Sequence, residues 1–171
     1  MIIRAETEND FETIAKITAE AFAPKPYSQG TEPAVINAVR ASGDLTLSLV
    51  AEEDGVLLGQ ITFTPVTIDG VHEGWFGLGP VAVRPDSQSE GIGGALIREG
   101  LERLKQMNAA GCVLVGDPDY YGRFGFQNDC GLLYGELDAR VIQKLELTGP
   151  DQTGTLAYLS LIHISEPTRP Y

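Results

Sequence analysis

Val81-Ala82-Val83-Arg84-Pro85-Asp86-Ser87-Gln88-Ser89-Glu90-Gly91-Ile92-Gly93-Gly94-Ala95-Leu96 is the stretch on which the reading of this chain turns. Three apolar residues halted by Arg84-Pro85 predict a strand end, the glycines that follow predict a tight turn, and Ile97, Leu101, Leu104 and Met107 recur at helical spacing. A long helix over residues 91–108 with one stripe packed on a sheet follows from that spacing. The free N–H groups at such a helix start lie at the positive end of its dipole, and glycine lets a phosphate come close. Counting GxGxxG from Gly91 puts Leu96 where Gly or Ala is required, and no GK[ST] loop occurs, so this is not a dinucleotide fingerprint. On the glycines alone, a tight strand-to-helix turn and a pyrophosphate cradle compete evenly.

Upstream, residues 45–50 and 56–68 are apolar and β-branched runs around Asp54-Gly55, the dipeptide suited to a hairpin turn with positive φ. A second turn at Asp69-Gly70 leads into a strand over residues 75–83, so the middle of the chain reads as an antiparallel meander. Gly77, Gly79 and Pro80 interrupt that third strand, which predicts a bulge or a place where strands part and expose main-chain groups to a ligand. Before the meander, residues 2–4 read as a first strand, and Thr7 with Asp10 as a capping box for a helix whose apolar face is Phe11, Ile14, Ala15, Thr18, Ala21 and Phe22. Residues 23–30 read as a loop, and a second helix starting near Pro33 ends at Gly43.

Downstream, Cys112-Val113-Leu114-Val115 is a wholly apolar strand, parallel to its predecessor because a helix separates them. Asp117-Pro118 opens a short helix carrying Tyr120 and Tyr121 and closed by Gly125-Phe126, and strands near residues 132–137 and 155–158 complete a mixed sheet. The residues so far read as an α/β chain with a mixed sheet.

Composition bounds the function. The 171 residues fit one domain, and 43% apolar with 21% charged residues exclude disorder, collagen and coiled coil. A formal charge of −12 opposes nucleic acid and anionic membranes; it suits an amine-bearing substrate and equally a solvated acidic surface. No run is long and apolar enough for a membrane span, no signal core follows Met1, and the two cysteines, Cys112 and Cys130, have no metal-like spacing, so a cytoplasmic protein without a metal is expected. His72 and His163 are the only histidines, which leaves a Cys or Ser triad poorly supported.

Gln88-x-x-Gly91-x-Gly93 after Val81-Ala82-Val83, followed in order by Tyr120-Tyr121-Gly122-Arg123-Phe124-Gly125-Phe126, resembles the acetyl-CoA signature and the later Tyr and Gly-Phe element of the GNAT N-acetyltransferase superfamily. The resemblance in element order covers residues 1–158 and is most specific over residues 78–126. It implies an α/β fold of the GNAT type, a mostly antiparallel sheet splayed at its centre with helices on both faces, and an enzyme that transfers the acetyl group of acetyl-CoA to a primary amine by direct attack. It implies further that Val81, Ala82 and Val83 pair with the pantetheine arm like an extra strand, that Gln88, Ser89, Glu90, Gly91, Ile92, Gly93 and Gly94 hold the pyrophosphate, and that Tyr121 protonates the departing thiolate. A phenol, with an ordinary pKa near 10, can donate at neutral pH. Tyr120 and Phe126 read as packing residues, and Arg123 as a phosphate contact or a solvated side chain.

Glu73, with Glu52, Glu53 and Asp117 as alternatives, is the first carboxylate to consider as base; each is equally a surface carboxylate and none is assigned, and His72 reads as a turn residue. One departure from the family pattern is Glu90, where many relatives carry a basic residue. The acceptor is a small-molecule or peptide amine whose identity the loop over residues 23–32 does not encode, and the protein is expected to be a monomer or homodimer. A non-catalytic acyl-CoA-binding sensor of the same fold is the alternative. Residues 159–169 resemble a translated sequencing adapter, so the domain is expected to span residues 1–158, with 159–171 a non-native tail set aside from functional reasoning.

Overall fold

A computed structural model describes residues 1–25, 30–43 and 45–158. The chain runs β1 (Ile2–Ala5), α1 (Phe11–Phe22), α2 (Glu32–Ser42), β2 (Leu47–Glu53), β3 (Val56–Ile68), β4 (Trp75–Val83), α3 (Ile92–Gln106), β5 (Gly111–Val115), α4 (Pro118–Tyr121), β6 (Gln127–Asn128), β7 (Leu132–Leu133), β8 (Ile142–Glu146) and β9 (Gly154–Tyr158). The sheet order is β1-β2-β3-β4-β5-β8-β6, with β9 added to the far end of β3 and β7 to β9. Pairing is antiparallel except for β4 with β5 and β7 with β9. The expected tail, residues 26–29 of the expected loop, and Asp44 lie outside the described residues.

Alternation along the central strands sends side chains to two cores, one on each face. Leu49, Ala51, Ile61 and Phe63 meet Ile92, Leu96, Ile97, Leu101 and Leu104 of α3. Val50, Leu57 and Ala82 meet Ile14, Ile17 and Ala21 of α1 and Ile36 of α2. A third cluster, with Trp75, Val113, Ile142 and Leu156, closes the far end of the sheet. The helices therefore cover both faces, as the periodicity predicts. Phe11, Ala15 and Phe22 of the expected apolar face of α1 are only half-buried; Phe22 still packs against the core, and Phe11 carries the Arg40 guanidinium 3.8 Å above its ring.

The strand expected over residues 132–137 is corrected to two residues, Leu132 and Leu133, paired with Gly154 and Thr155. Leu137 lies in a turn, its N–H bonded to the Tyr134 carbonyl. The strands β6 and β8 were not expected. Gln143 and Lys144 are adjacent polar residues, so β8 shows no clean period of two, yet both are buried. Tertiary partners make that burial tolerable: Gln143 Nε2 donates to the Gly116 carbonyl at 3.0 Å, and Lys144 Nζ meets Asp151 at 2.5 Å and the Gln152 carbonyl at 2.8 Å.

The first helix begins as expected. The Thr7 N–H donates to Asp10 Oδ2 at 2.8 Å, and the same carboxylate takes two bonds from Arg4, 2.7 and 3.1 Å long, while Arg4 Nε reaches Glu52 at 3.0 Å. One buried carboxylate thus links β1, β2 and α1. The Arg4 hydrogen bonds hold the Asp10 carboxyl at a pKa of about 2, below its ordinary 3.8. A depressed carboxylate stabilises the fold above its ordinary pKa and loses that contribution as pH falls toward the folded value. Urea unfolding should show the wild type losing stability between about pH 4 and pH 2 by a step that Asp10→Asn lacks, with the variant about 1 kcal/mol less stable at neutral pH.

Gly100 lets α3 approach the sheet, since a Cβ there would stand 2.3 Å from Phe63 Cε2. Gly100→Ala should lower stability by about 1–3 kcal/mol in thermal or urea unfolding, because overpacking outweighs the gain in helix propensity.

Candidate active site

Parallel pairing of β4 with β5 is confined to Trp75, Phe76 and Gly77 against Gly111, Cys112 and Val113. Over residues 78–83 the two strands are no longer paired. Gly79 has φ of +132°, the Gly79-Pro80 peptide is cis, Pro80 has no N–H, and the β3–β4 register shifts between Ile61 and Phe63. The strand break expected from Gly79-Pro80 is thus where the sheet opens. Behind it, Gln60 Nε2 lies 3.4 Å from the Pro80 carbonyl, and Gln60 Oε1 accepts from Thr62 Oγ1 at 3.0 Å; both side chains are fully buried.

Arg84 N–H donates to the Leu58 carbonyl of β3 at 2.8 Å, so by alternation the main-chain groups of Val83 and Val81 turn to the opening. The Val83 carbonyl accepts from Gln88 Nε2 at 3.1 Å, which ties the following loop to the end of β4. Ala82 faces the other way: its Cα partner is Gln60 and its side chain lies in the core.

The loop makes a 3-10 turn at Pro85–Ser87, and Ser89 and Gly91 then take left-handed φ of 66° and 84°. Gly91 is the N-cap of α3. No side chain caps this end, and its first turn carries no acidic residue. The first-turn N–H groups are therefore left for an external acceptor, beside the positive helix end. Ile92 sends its side chain into the core and offers only its amide, whereas Gly93 and Gly94 are half-buried at the surface of the opening. Glu90 is exposed. Arg98, one turn along α3, places Nη1 3.2 Å from where a Cβ on Gly94 would be, with its guanidinium 4.9 Å from the Phe124 ring centre. Sequence reasoning overlooked Arg98, although its spacing of four from Gly94 was a usable signal.

Asp117 caps α4 through the Asp119 N–H at 2.9 Å, Pro118 occupies the first turn, and Gly125 at φ of 97° ends the 3-10 turn that follows. Tyr120 and Tyr121 meet edge to face with centroids 4.9 Å apart. Tyr120 packs against the core beside Phe124 and directs its Oη toward the glycine loop, 3.6 Å from where a Cβ on Gly93 would be. Arg123 lies over the Tyr120 ring and donates to its carbonyl at 2.9 Å. Tyr121 packs beside Phe124 and Phe126 and rests on Gly116, where a Cβ would stand 2.6 Å from its Cε2.

The carboxylates considered as bases do not converge here. Glu73 is exposed in a turn, Glu52 is bound to Arg4, Glu53 lies 3.7 Å from the Met1 amine, and Asp117 is the helix cap. Burial pushes the Cys112 and Cys130 thiols up, which keeps them protonated. Among the described residues no cluster of His, Cys, Asp or Glu is arranged to hold a metal ion, and no helix is long and apolar enough to cross a membrane.

An opened parallel pair, an uncapped glycine-rich helix start and a tyrosine-bearing turn over the gap form one continuous feature, and the model of the acetyltransferase (GNAT) domain family matches residues 2–128. This chain belongs to the GNAT acetyltransferase family. A GNAT family acetyltransferase from Brucella melitensis, solved in complex with acetyl-CoA, is 49% identical, with a TM-score of 0.83 over 92% of this chain and 94% of that one. The YhbS protein of Escherichia coli, a GNAT family N-acetyltransferase solved with CoA, has a TM-score of 0.84 at 30% identity, over 92% and 88% of the two chains. In sequence, YhbS of Escherichia coli strain K12, named an uncharacterized N-acetyltransferase, is 34% identical over 128 residues, 74% of each chain. As a GNAT protein, the chain has the mixed, mostly antiparallel sheet with helices that its residues predicted.

Proposed function

We propose that this enzyme moves the acetyl group of acetyl-CoA directly to the nitrogen of a primary amine, of a small molecule or a peptide, with Tyr121 as the acid for the leaving thiolate. The observation that carries this reading is the meeting of the unpaired β4 edge with the uncapped start of α3, beneath α4. Solved relatives of the same fold hold acetyl-CoA and CoA, and the groups present here fit such a molecule. Val81 and Val83 offer main-chain groups at strand spacing for an amide-bearing arm, and the amides of residues 89–94 offer donors for a pyrophosphate. Gln88 and Ile92 serve through the main chain, since the Gln88 side chain braces Val83 and that of Ile92 is buried. Arg98 adds positive charge beside Gly94, and Tyr120 a hydroxyl beside Gly93.

When bound, acetyl-CoA supplies an activated thioester carbonyl. Pro80 has no N–H, so the first main-chain donor past the strand break is that of Val81, available to a developing oxyanion. Tyr121 stands on the side of the opening lined by β5 and α4 and donates its phenolic proton to sulfur as the carbon–sulfur bond breaks.

Thiol release from acetyl-CoA across a panel of amines tests this. Acceptor-dependent release is expected, and Tyr121→Phe should lower kcat by about 10²-fold or more with little change in KM for acetyl-CoA. Tyr120→Phe should instead raise that KM at nearly constant kcat. No release with any amine of the panel, despite CoA binding, would favour a non-catalytic sensor. Glu90→Arg should leave kcat similar and tighten CoA binding by calorimetry, about two- to fivefold at low salt and less at high salt; unchanged or weaker binding would contradict the phosphate cradle.

A further inference from the structure

We propose that Gln143 is a positioning residue for Tyr121, acting from β8 through Gly116. The inference rests on the role of Tyr121 proposed above. Gly116 directly follows β5, and both of its main-chain groups are held from β8 and the residue before it: its N–H donates to the Val141 carbonyl at 3.0 Å, and its carbonyl accepts from Gln143 Nε2 at 3.0 Å. The next residue, Asp117, accepts at its main-chain carbonyl from the N–H groups of Tyr120 and Tyr121, 3.1 and 3.0 Å away, and caps the turn with its carboxylate. Two hydrogen bonds joined by the covalent Gly116–Asp117 backbone therefore connect the Gln143 amide to the Tyr121 main chain, and the Tyr121 ring rests on Gly116 itself.

The chemistry of Gln143 says what the amide is for. Its side chain is fully buried, and Oε1 has no hydrogen-bond partner among the described residues. A flipped amide would set oxygen against the Gly116 oxygen, so the donor must face Gly116 and the stranded oxygen is the consequence. An apolar side chain of equal length would fill the same space with no stranded oxygen. What glutamine alone adds is the bond to the Gly116 carbonyl. Held at both main-chain groups, Gly116 cannot swing, and the phenol of Tyr121 is kept in register with the opening between β4 and β5.

The test is a double-mutant cycle in the intact enzyme, with acetyl-CoA thiol release as the readout and thermal unfolding and CoA calorimetry as controls. Gln143→Met keeps length and volume and cannot donate. It should lower kcat about 10- to 100-fold with KM for acetyl-CoA and CoA affinity within about twofold, and add little further loss in the Tyr121→Phe background. Gly116→Ala, which puts a methyl group into the Tyr121 ring, should reproduce the kcat loss and serves where Gln143→Met fails to fold. Impaired Tyr121→Phe beside a Gln143→Met enzyme with wild-type kcat, or losses that simply add, would overturn this inference alone. Wild-type kcat in Tyr121→Phe would overturn the reading of Tyr121 and this inference with it.

Discussion

The parting of β4 from β5 after Gly77 is the constraint on which the rest depends. Two parallel strands that stay paired leave no main-chain groups free; here pairing stops after three residues, and β4 continues with an open edge. An open edge in the middle of a sheet is costly unless something fills it, because unpaired amides and carbonyls lose water without gaining partners. The Gly79-Pro80 pair, with the Gly79 φ of +132° and the β3–β4 register shift beside it, interrupts the regular course of β4 just past its last residues paired with β5. Gln60, buried behind the break and held by Thr62, donates to the Pro80 carbonyl on the other side, so the irregularity is supported on one face and free on the other.

Everything around the opening serves to hold it. The helix α3 buries Leu96, Ile97, Leu101 and Leu104 against β2 and β3, each worth about 1.5–3 kcal/mol, and this anchors a helix start that no side chain caps. Gln88 fastens the loop to Val83, so the amides of the turn and the edge of β4 form one surface. On the opposite wall, β8 fixes Gly116, Asp117 caps α4, and the two tyrosines diverge: one hydroxyl toward the glycine loop, the other ring onto the end of β5. The candidate site is an opening between these two walls.

Much of this was legible in the residues. The Asp54-Gly55 and Asp69-Gly70 turns, the α3 stripe of Ile97, Leu101 and Leu104, the parallel placement of β5 and the break at Gly79-Pro80 are local signals with the predicted place in the fold, whereas Met107, expected in that stripe, lies past the helix end and is exposed. Strand β8 was not legible, because Gln143 and Lys144 stand side by side and only partners elsewhere, the Gly116 carbonyl and Asp151, make their burial acceptable. The two-residue strands β6 and β7 are too short to carry any period. The candidate site divides in the same way. Gly91, Gly93, Gly94 and Tyr121 announce themselves by pattern, whereas Ala82 turns to the core, Tyr120 reaches the loop and Arg98 folds back on Gly94 for reasons that need neighbours.

By itself, the sequence determined the α/β class and the glycine-rich helix start, because these rest on hydrogen-bond chemistry and periodicity along the chain, and the family followed from the resemblance of its motifs. Only the tertiary structure decided which main-chain groups of β4 face the opening, which tyrosine meets which wall, and that a buried glutamine on the last-recognised strand braces the end of β5. Those choices depend on the register between strands and on contacts across 27 residues of chain, and no local pattern carries them.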